Sequence, residues 1–508
     1  MEKKLSTFAT CNAKNILIMK IRFLSILLAS LALATFSMTS CLNDDTIEVT
    51  YTNETSIIHF SVGTLWMQKT GQAQDGSDSL YMDTLSMSNY PFTIDQLNRT
   101  IENKDSLPVG TDISRVVTNI NADSPYIVYG KIDSLGTEPV DTLWTNTDSI
   151  NFAVAPSEGL TFKVMSYSGR MGKAYHIKIN VHQQEPDSLT WDEEASQQAF
   201  VSQSLTRQKA VYTDGRIYVF GQDGDTPVIE YTTVSTNGQA DGWIALDNVP
   251  QETDSYSAMV WNGTVYFLAE GTLYELSGNV IQPSSLPAPA YRLKQLLANA
   301  TTASGLSYLY AYTEDNRCVT YNGTSWSEDG EGSIFPDVNQ RFSFASLPVS
   351  YNSTLTRAVV FGFHPDALGN EFGFAASRLN SENDWIAYDY AQADTFYCPN
   401  IADGTMIYYD KKLYAFGGFI NSLPHKEYRH PFNTFFESTD NGLSWKPVTR
   451  YVRFPKSDSF RQKYEEGESL GEGSYSCVVD ENNFIWIIWH NGYMSRGRIN
   501  RLGFLPKW

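Results

Sequence analysis

Six similar strand-rich segments follow one another between Trp191 and the C-terminus. Each contains a short, nearly continuous apolar run beside a turn, and the runs recur at roughly 40 to 60 residues. The runs are Gly215 to Gly221, Gly263 to Glu270, Ser307 to Tyr312, Arg357 to Gly362, Lys412 to Gly418 and Phe484 to Trp489. A repeat of this length cannot bury its own apolar face, so neighbouring repeats must stack. Residues 187–508 are therefore predicted to be all-β, with six sheets packed side by side.

A tryptophan marks the predicted outermost strand in four of the repeats, at Trp243, Trp326, Trp385 and Trp445. The second repeat has Asn279-Val280-Ile281 in this place, and the last repeat ends after three strands. The segment Leu189 to Asp192 has the same signature around Trp191 but precedes the first repeat. We expect it to pair with the last sheet, because closing a ring removes exposed sheet edges. The sequence thus predicts a six-bladed β-propeller closed by an N-terminal strand near Trp191.

Two local patterns resemble known repeat families. Ser438 to Trp445 has the spacing S-x-D-x-G-x-x-W of the Asp-box, in which Asp shapes the turn, Gly supplies a positive φ and Trp packs between blades. Asp214 to Gly221 and Lys412 to Gly418, each followed later by a tryptophan, resemble kelch repeats. Sialidases carry Asp-boxes away from their active sites. These resemblances therefore imply a fold and no catalytic role.

Residues 1–40 have the organisation of an export signal, with Met19 as a candidate start. A short basic segment precedes Leu24 to Phe36, an apolar run too short to span a bilayer comfortably. The run ends in Met38-Thr39-Ser40-Cys41, which resembles the lipobox of bacterial lipoproteins, although Met38 replaces the usual leucine. The resemblance implies a lipid anchor on Cys41 that attaches the protein to a membrane. The alternative is an ordinary secretory signal followed by a chance cysteine.

The residues after Cys41 extend this prediction. Asn43, Asp44 and Asp45 resemble the surface-export signal of Bacteroidetes lipoproteins, which implies an outer-membrane lipoprotein exposed at the cell surface. Residues 41–54 predict a polar tether. Alternating segments predict half-buried strands over 55–184, with one short helix at Ile94 to Glu102.

The end of this region, Lys173 to Val181, resembles the last strand of immunoglobulin-like or cadherin-like β-sandwiches. We therefore predict a small β-sandwich over 55–184. With the propeller at 187–508, the whole chain resembles a Bacteroidetes lipoprotein family of unknown function. That resemblance implies a fold but no activity.

Composition excludes some classes of partner. The formal net charge of −20 argues against a nucleic-acid partner, which needs clustered Lys and Arg. Cys318, Cys398 and Cys477 have no CxxC or Cys/His spacing, so they predict small buried residues with at most one disulfide. We predict no metal site and no cofactor.

The candidate ligand site lies on loops that should share one face of the propeller: those after the second strand of each repeat, and those between repeats. Repeats four to six carry its polar, cationic and aromatic residues, which are His364, His425, Tyr428, Arg429, His430, Arg453, Arg461, Trp489, His490 and Tyr493. Aromatic faces stack on sugar rings, and Arg and His bond hydroxyls or carboxylates, so a glycan or protein ligand is predicted. The alternative is a set of solvated loops without a ligand.

Three functions stay open from the sequence. The first is a binding or scaffold module, and the second is a glycan-active hydrolase or lyase that uses carboxylates among Glu427, Glu465 and Glu466. The third is a purely structural role in an outer-membrane assembly. Two carboxylates roughly 5 to 10 Å apart would favour the enzyme, whereas an aromatic platform would favour binding.

Overall fold

The computed structural model describes residues 51–72, 78–132, 138–331, 334–336, 340–363, 373–388, 396, 398–420, 432–448, 450–468 and 473–504. The predicted signal, Cys41 and most of the tether lie outside these ranges. The chain divides into two compact units after Val181. Within the described ranges, no helix has the length and apolarity needed to cross a membrane.

Short strands dominate the N-terminal unit. In chain order they are β1 Ile57–Val62, β2 Leu65–Gln72, β3 Asp78–Leu85, β4 Phe92–Asp95, β5 Thr100–Asn103, β6 Thr111–Asp112, β7 Val116–Ala122, β8 Ile127–Lys131, β9 Val140–Leu143, β10 Ser149–Ile150, β11 Leu160–Val164 and β12 Tyr175–Lys178. A single 3-10 turn, Met87–Asn89, separates β3 from β4.

These strands form three sheets, with the orders β1-β7-β10, β3-β2-β6 and β4-β5-β12-β11-β8-β9. In β7, buried and exposed residues alternate from Val116 to Asn121, as expected of a strand with one face on a core. Phe60 from the first sheet and Phe162 and Tyr175 from the six-stranded sheet belong to one shared apolar core. The six-stranded sheet is mixed, because β12 pairs with β5 in parallel and with β11 in antiparallel orientation.

The predicted helix at Ile94 to Glu102 is wrong, because β4 and β5 form an antiparallel hairpin there. The Asp95 carboxylate accepts the backbone N–H groups of Leu97 and Asn98, at 2.9 and 3.0 Å. Arg99 then adopts a positive φ of 57°. An Asp side chain that bonds the backbone ahead of it stabilises a turn in competition with a helix.

The second unit begins with β13 Leu189–Ser196 and continues as a series of four-stranded sheets. Sheets one to three contain β14 Thr206–Thr213, β15 Arg216–Asp223, β16 Thr226–Thr233 and β17 Ile244–Ala245; then β18 Thr253–Trp261, β19 Thr264–Ala269, β20 Thr272–Ser277 and β21 Val280–Pro283; then β22 Leu293–Thr301, β23 Ser307–Thr313, β24 Arg317–Tyr321 and β25 Trp326–Glu331.

Sheets four and five continue the series with β26 Ser343–Pro348, β27 Thr356–Gly362, β28 Phe374–Leu379 and β29 Ile386–Ala387; then, after β30 Ile401–Ala402, β31 Thr405–Tyr409, β32 Lys412–Phe416, β34 Phe436–Ser438 and β35 Lys446–Pro447. β33 Phe419–Ile420 pairs with β30. A helix, α1 Asp458–Glu468, precedes sheet six, which contains β36 Tyr475–Val479, β37 Ile485–Trp489 and β38 Met494–Ile499. A 3-10 turn, Asn500–Gly503, follows it.

The innermost strands of these sheets contact one another in cyclic order, β14 to β18, β22, β26, β31, β36 and back to β14. All six predicted apolar runs are second strands, and the run in β37 is buried at every position from Ile485 to Trp489. A strand covered on both faces reads as a continuous apolar run, which explains why these runs were visible in the sequence. In the described part of the chain, six core clusters each join two successive sheets of this ring.

The ring closes through β13. This strand is antiparallel to β38 and completes sheet six, with Trp191 opposite Gly497. The pairing is the one that the position of Trp191 predicted. The last sheet therefore takes its outermost strand from residues that precede the first sheet.

The outer tryptophans pack against the preceding sheet. The ring of Trp445 lies 6.1 Å from that of Phe361 in sheet four, and the ring of Trp385 lies 5.4 Å from that of Tyr310 in sheet three. The Asp-box geometry is also present. Asp440 accepts the Ser444 N–H at 2.8 Å, and the Trp445 indole N–H donates to the Gly442 carbonyl at 2.9 Å.

The three cysteines of the ring form no disulfide with one another. Cys318 and Cys398 are buried and Cys477 is half-buried. Burial raises the pKa of both the Cys318 and the Cys477 thiol to about 12. They behave as the small buried residues that the sequence predicted.

Candidate functional site

The candidate site lies at one end of the ring. In an antiparallel sheet of four strands, the starts of the first strands, the turns between second and third strands, and the connections to the next sheet all fall at the same end. We call this end the entry face, defined by the starts of β14, β18, β22, β26, β31 and β36. Loops at such a face are where propellers usually bind their ligands.

The structure describes five of the ten candidate residues predicted from the sequence. His364, His425, Tyr428, Arg429 and His430 lie outside the described residues, as does the candidate carboxylate Glu427. The described members are Arg453, Arg461, Trp489, His490 and Tyr493.

Trp489 is a core residue and not an exposed platform. Its side chain is 1 % exposed, and its indole N–H donates to the Ser495 hydroxyl at 3.0 Å. Its ring packs edge-to-face against Phe432 and Phe460, at 5.2 and 5.4 Å between centroids. Phe460 belongs to α1, so the helix covers Trp489 and removes it from the surface.

Sequence reasoning missed α1, although local signals for it exist. The Ser457 hydroxyl accepts the Phe460 N–H at 3.1 Å, which is the contact of an N-cap residue. Phe460 and Tyr464 are one turn apart and both belong to the apolar cluster between sheets five and six. The Lys463 ammonium donates to the Glu193 carbonyl in the closing strand. The helix is therefore fixed to the ring on two sides.

Arg453 and Arg461 are both exposed, and they lie on this same fixed connection between sheets five and six. The Arg453 carbonyl accepts the Trp191 indole N–H at 2.8 Å, which holds its backbone against the closing strand. Arg461 pairs with Asp458 at 3.6 Å within α1. An exposed pair of this kind contributes little to stability, so the Arg461 guanidinium stays available to a ligand.

His490 and Tyr493 follow the second strand of sheet six and are half-buried. Tyr493 packs against the apolar cluster between sheets five and six. Among the described residues, no group forms a hydrogen bond with the buried His490 Nδ1. Burial lowers the pKa of His490, while the charge of Glu466 on α1 acts in the opposite direction. Glu466 itself is exposed and accepts from the Gln462 amide at 2.7 Å.

A second group of charged residues, absent from the sequence prediction, lies where the innermost strands begin. We call Arg207, Lys209, Asp254, Arg341 and Asp403 the mouth cluster; they come from sheets one, two, four and five. Lys209 is 8 % exposed, and its ammonium donates to the Tyr256 carbonyl at 2.7 Å. Burial lowers the pKa of Lys209 to about 8, with Asp254 opposing and Arg341 adding to the shift.

Arg341 links three sheets at the mouth. One guanidinium nitrogen donates to the carbonyls of Gln208 and Tyr475, at 3.1 and 2.6 Å, and the other donates to the carbonyl of Asp403. The guanidinium carbon lies 4.6 Å from the centre of the Tyr475 ring. A side chain from sheet four thus holds the first strands of sheets one and six and the start of sheet five.

The two carboxylates of the mouth cluster bond the backbone around them. Asp254 accepts the Tyr256 N–H at 3.1 Å, and burial raises the pKa of its carboxyl. Asp403 accepts the Gly473 N–H at 2.9 Å. Both acids lie near the cations of the cluster, since the charges of Lys209 and Arg207 act on Asp254 and the charge of Asp403 acts on Arg341.

The sequence contains one signal for the mouth cluster, which is the presence of charged residues at the starts of otherwise apolar strands. Arg207-Gln208-Lys209 directly precedes the buried part of β14, and Arg341 precedes β26. Within the described ranges, no group of three or more His, Cys, Asp or Glu side chains is placed to hold a metal ion.

Two family descriptions match the chain. The DUF6242 beta propeller domain matches residues 185–507, and the DUF6242 N-terminal domain, a domain of unknown function, matches residues 60–179. No curated protein matches the chain.

Solved structures resemble the chain only distantly. A triple arginine mutant of AofleA from Arthrobotrys oligospora is 12% identical with a TM-score of 0.32, over 61% of this chain and 86% of that chain. A gluconolactonase from Xanthomonas campestris is 9% identical with a TM-score of 0.33, over 60% and 88%. The WD40 beta propeller domain of Doa1 is 9% identical with a TM-score of 0.30, over 60% and 96%. Similarities this distant carry no argument about function.

Proposed function

Because the chain belongs to the DUF6242 family, which combines an N-terminal domain with a beta-propeller domain, we propose that it is a binding or scaffold module of the cell surface. In this proposal a lipid on Cys41 anchors it to the outer membrane. A small β-sandwich follows, and a six-bladed kelch-like propeller recognises a glycan or a partner protein. The ligand lies on the entry face over sheets five and six.

The observation that carries the proposal is the rigid presentation of two exposed arginines. Arg453 is fixed through its carbonyl to Trp191, and Arg461 stands on α1, which is anchored by Phe460 in the core. A preorganised surface loses less conformational entropy on binding than a mobile loop does. Guanidinium groups bond the hydroxyls, carboxylates or sulfates that glycans and acidic protein surfaces offer.

The test is binding of the purified protein to a glycan array, with a pull-down of surface proteins as a second arm. Wild type is compared with Arg453→Ala combined with Arg461→Ala. The matched control is Arg115→Ala combined with Arg170→Ala, since both are exposed arginines of the N-terminal unit. Binding in either arm that falls at least tenfold in the first variant and stays unchanged in the control supports the proposal. Equal binding by all three proteins contradicts it.

A glycan-active hydrolase or lyase is the second candidate, and the pair His490 and Glu466 favours it. A half-buried imidazole with a lowered pKa beside a carboxylate can exchange protons near neutral pH. The test is release of new reducing ends from array-positive glycans. Activity that falls in Glu466→Gln while binding persists would support the enzyme, and binding without any product would exclude it for those glycans.

A further inference from the structure

An open groove lies between sheets five and six, on the side of their outer strands. Sheet five lines it with Tyr414 of β32 and Glu437 of β34, and the closing edge lines it with Ile499 of β38 and with Arg501. Tyr451, from the connection between the two sheets, completes this lining. We call it the side groove. Its volume of about 450 Å³ falls within the roughly 300 to 1,000 Å³ that is usual for small-ligand sites.

Ion pairs balance the charges of the side groove. Six charged side chains of its lining pair with one another, namely Glu437 with Lys412 and Lys446, at 2.9 and 3.3 Å, and Arg501 with Asp187 and Asp410. Arg450 adds a seventh charge but is exposed to solvent, with its guanidinium 4.4 Å from the centre of the Tyr451 ring. A charged ligand would have to compete with an existing ion pair, whereas a neutral ligand leaves every pair in place.

The paired groups keep hydrogen-bonding capacity. The Lys412 ammonium carries three N–H groups, and Glu437 is its acceptor in the part of the chain that the structure describes. The Asp410 side chain is 15% exposed, and its donor among the described residues is Arg501. A carboxylate has about four lone-pair sites, so Asp410 can accept further bonds. Donors and acceptors are therefore both available to one ligand.

The Tyr414 hydroxyl lies in this groove. The side chain is 2% exposed, and its ring packs edge-to-face on Phe435 at 6.1 Å between centroids. Burial raises the pKa of the hydroxyl; the charges of Glu437 and Asp410 act in the same direction and that of Arg501 in the opposite one. These three charged neighbours all line the groove. No group of the described residues forms a hydrogen bond with the Tyr414 hydroxyl.

An equivalent tyrosine in sheet one is satisfied by the protein itself. Tyr218 and Tyr414 are both third residues of second strands, β15 and β32. The Tyr218 hydroxyl donates to the Asn279 side-chain oxygen of the next sheet at 3.2 Å. Over the ranges that the structure describes, sheet six offers Tyr414 no such partner. A buried hydroxyl without a partner costs free energy, so a ligand that bonds it gains a contact that the protein leaves open.

We propose that the side groove binds a neutral sugar residue, one hydroxyl of which bonds the Tyr414 hydroxyl. A sugar hydroxyl donates and accepts at the same atom, so neighbouring hydroxyls of one ring can bond Asp410 and Lys412 without separating an ion pair. Val448 and Tyr451 in the same lining offer apolar and aromatic surface to the C–H groups of the ring. The proposal goes beyond the proposed function, because neither arginine that carries that function lines the groove.

The experiment is saturation-transfer NMR titration of the purified protein with glucose, galactose, mannose, fucose and N-acetylglucosamine. Glucosamine and glucuronate test charged sugars, and N-acetylalanine methylamide represents a peptide backbone. Wild type is compared with Tyr414→Phe, which removes only the hydroxyl. The matched control is Tyr266→Phe, since Tyr266 is the third residue of the second strand in sheet two, is 4% exposed and does not line the groove. Arg453→Ala combined with Arg461→Ala reports on the entry face, and circular dichroism establishes that each variant is folded.

We expect at least one neutral sugar to bind to wild type, to Tyr266→Phe and to the double arginine variant, and to bind about three- to tenfold more weakly to Tyr414→Phe. No binding of any neutral sugar, a preference for a charged sugar or for the methylamide, or unchanged affinity in Tyr414→Phe overturns the proposal.

The same variants separate this proposal from the proposed function. Sugar binding that is lost in the double arginine variant but kept in Tyr414→Phe belongs to the entry face, which supports the proposed function and overturns the side-groove site. Sugar binding that depends on Tyr414 alone supports the side-groove site, even where array binding does not depend on Arg453 and Arg461.

Discussion

Trp191 lies across the closing strand pair from Gly497, and a Cβ at Gly497 would stand 2.8 Å from the indole ring. The same ring packs on Phe454 at 5.6 Å and on Phe460 at 6.0 Å between centroids. One aromatic side chain therefore joins the strand that closes the ring to the connection that carries α1. Loss of this contact should weaken ring closure and the candidate site together.

Gly497→Ala tests this closure. The added methyl group must displace the indole, so we expect the free energy of unfolding to fall by about 1–3 kcal/mol. Gly242→Ala is the matched control, since the nearest atom to its Cβ is a side-chain oxygen at 4.0 Å. Urea unfolding followed by tryptophan fluorescence measures both. When Trp191 is already replaced by Ala, the Gly497→Ala substitution should lower the free energy of unfolding by a smaller amount. An equal loss with and without Trp191 would show that the added methyl group does not clash with the indole.

Asp440→Ala tests the Asp-box turn. Although burial opposes it, hydrogen bonds from Ser444 and Ser438 hold the pKa of the Asp440 carboxyl below its usual range. The stabilisation is therefore present above a pH of about 4 and is lost as pH falls through the lowered value. We expect a loss of about 1.5–3 kcal/mol at pH 7. The control is Asp458→Ala, which should change the free energy of unfolding little because this carboxylate is 98% exposed. If the stability lost in Asp440→Ala stays constant down to pH 2.5, well below the usual carboxyl range, the role of the Asp440 carboxylate is contradicted.

Lys209→Met should stabilise the protein at neutral pH. Burial lowers the folded-state pKa of Lys209 to about 8 from an ordinary value of 10.5, with Asp254 and Arg341 as its charged neighbours. Between these values the unfolded chain binds more protons, so wild-type stability rises with pH across that window. We expect Lys209→Met to be more stable than wild type by about 1–4 kcal/mol at pH 7. This difference in the free energy of unfolding should shrink from pH 8 to pH 10.5. A difference that does not change with pH would show that burial of the charged ammonium does not destabilise the folded protein.

Cys318 and Cys477 should resist alkylation in the native protein. Their thiols have a pKa of about 12 through burial, and the thiolate is the reactive form. Mass spectrometry of peptides after iodoacetamide treatment should find both cysteines unmodified before denaturation and modified after it. Rapid native labelling of Cys477 would show that sheet six opens locally.

The ring was readable from the sequence because its second strands are apolar on both faces, as in Ile485 to Trp489. The closing strand was readable because Trp191 repeats the signature of the other outer strands. In both cases the pattern lies in neighbouring residues, where a sequence shows it directly.

The candidate site could be predicted from the sequence only in part. The sequence predicts Trp489 at the surface, because nothing in its own segment reveals that α1 covers it. The sequence pattern of α1 is weak, because its polar residues outnumber the two aromatic residues that anchor it. Lys209 and Arg341 lie on strands far apart in the chain, so only the closed ring brings them to one cavity.

The most direct test of the binding face is hydrogen–deuterium exchange of the protein with and without the strongest-bound glycan of the array. The account predicts protection in residues 450–468 and at the starts of β14 and β36, all on the entry face. Protection confined to the opposite end of the ring, at the turns around Gly215 and Asn441, or to the N-terminal unit, would contradict it.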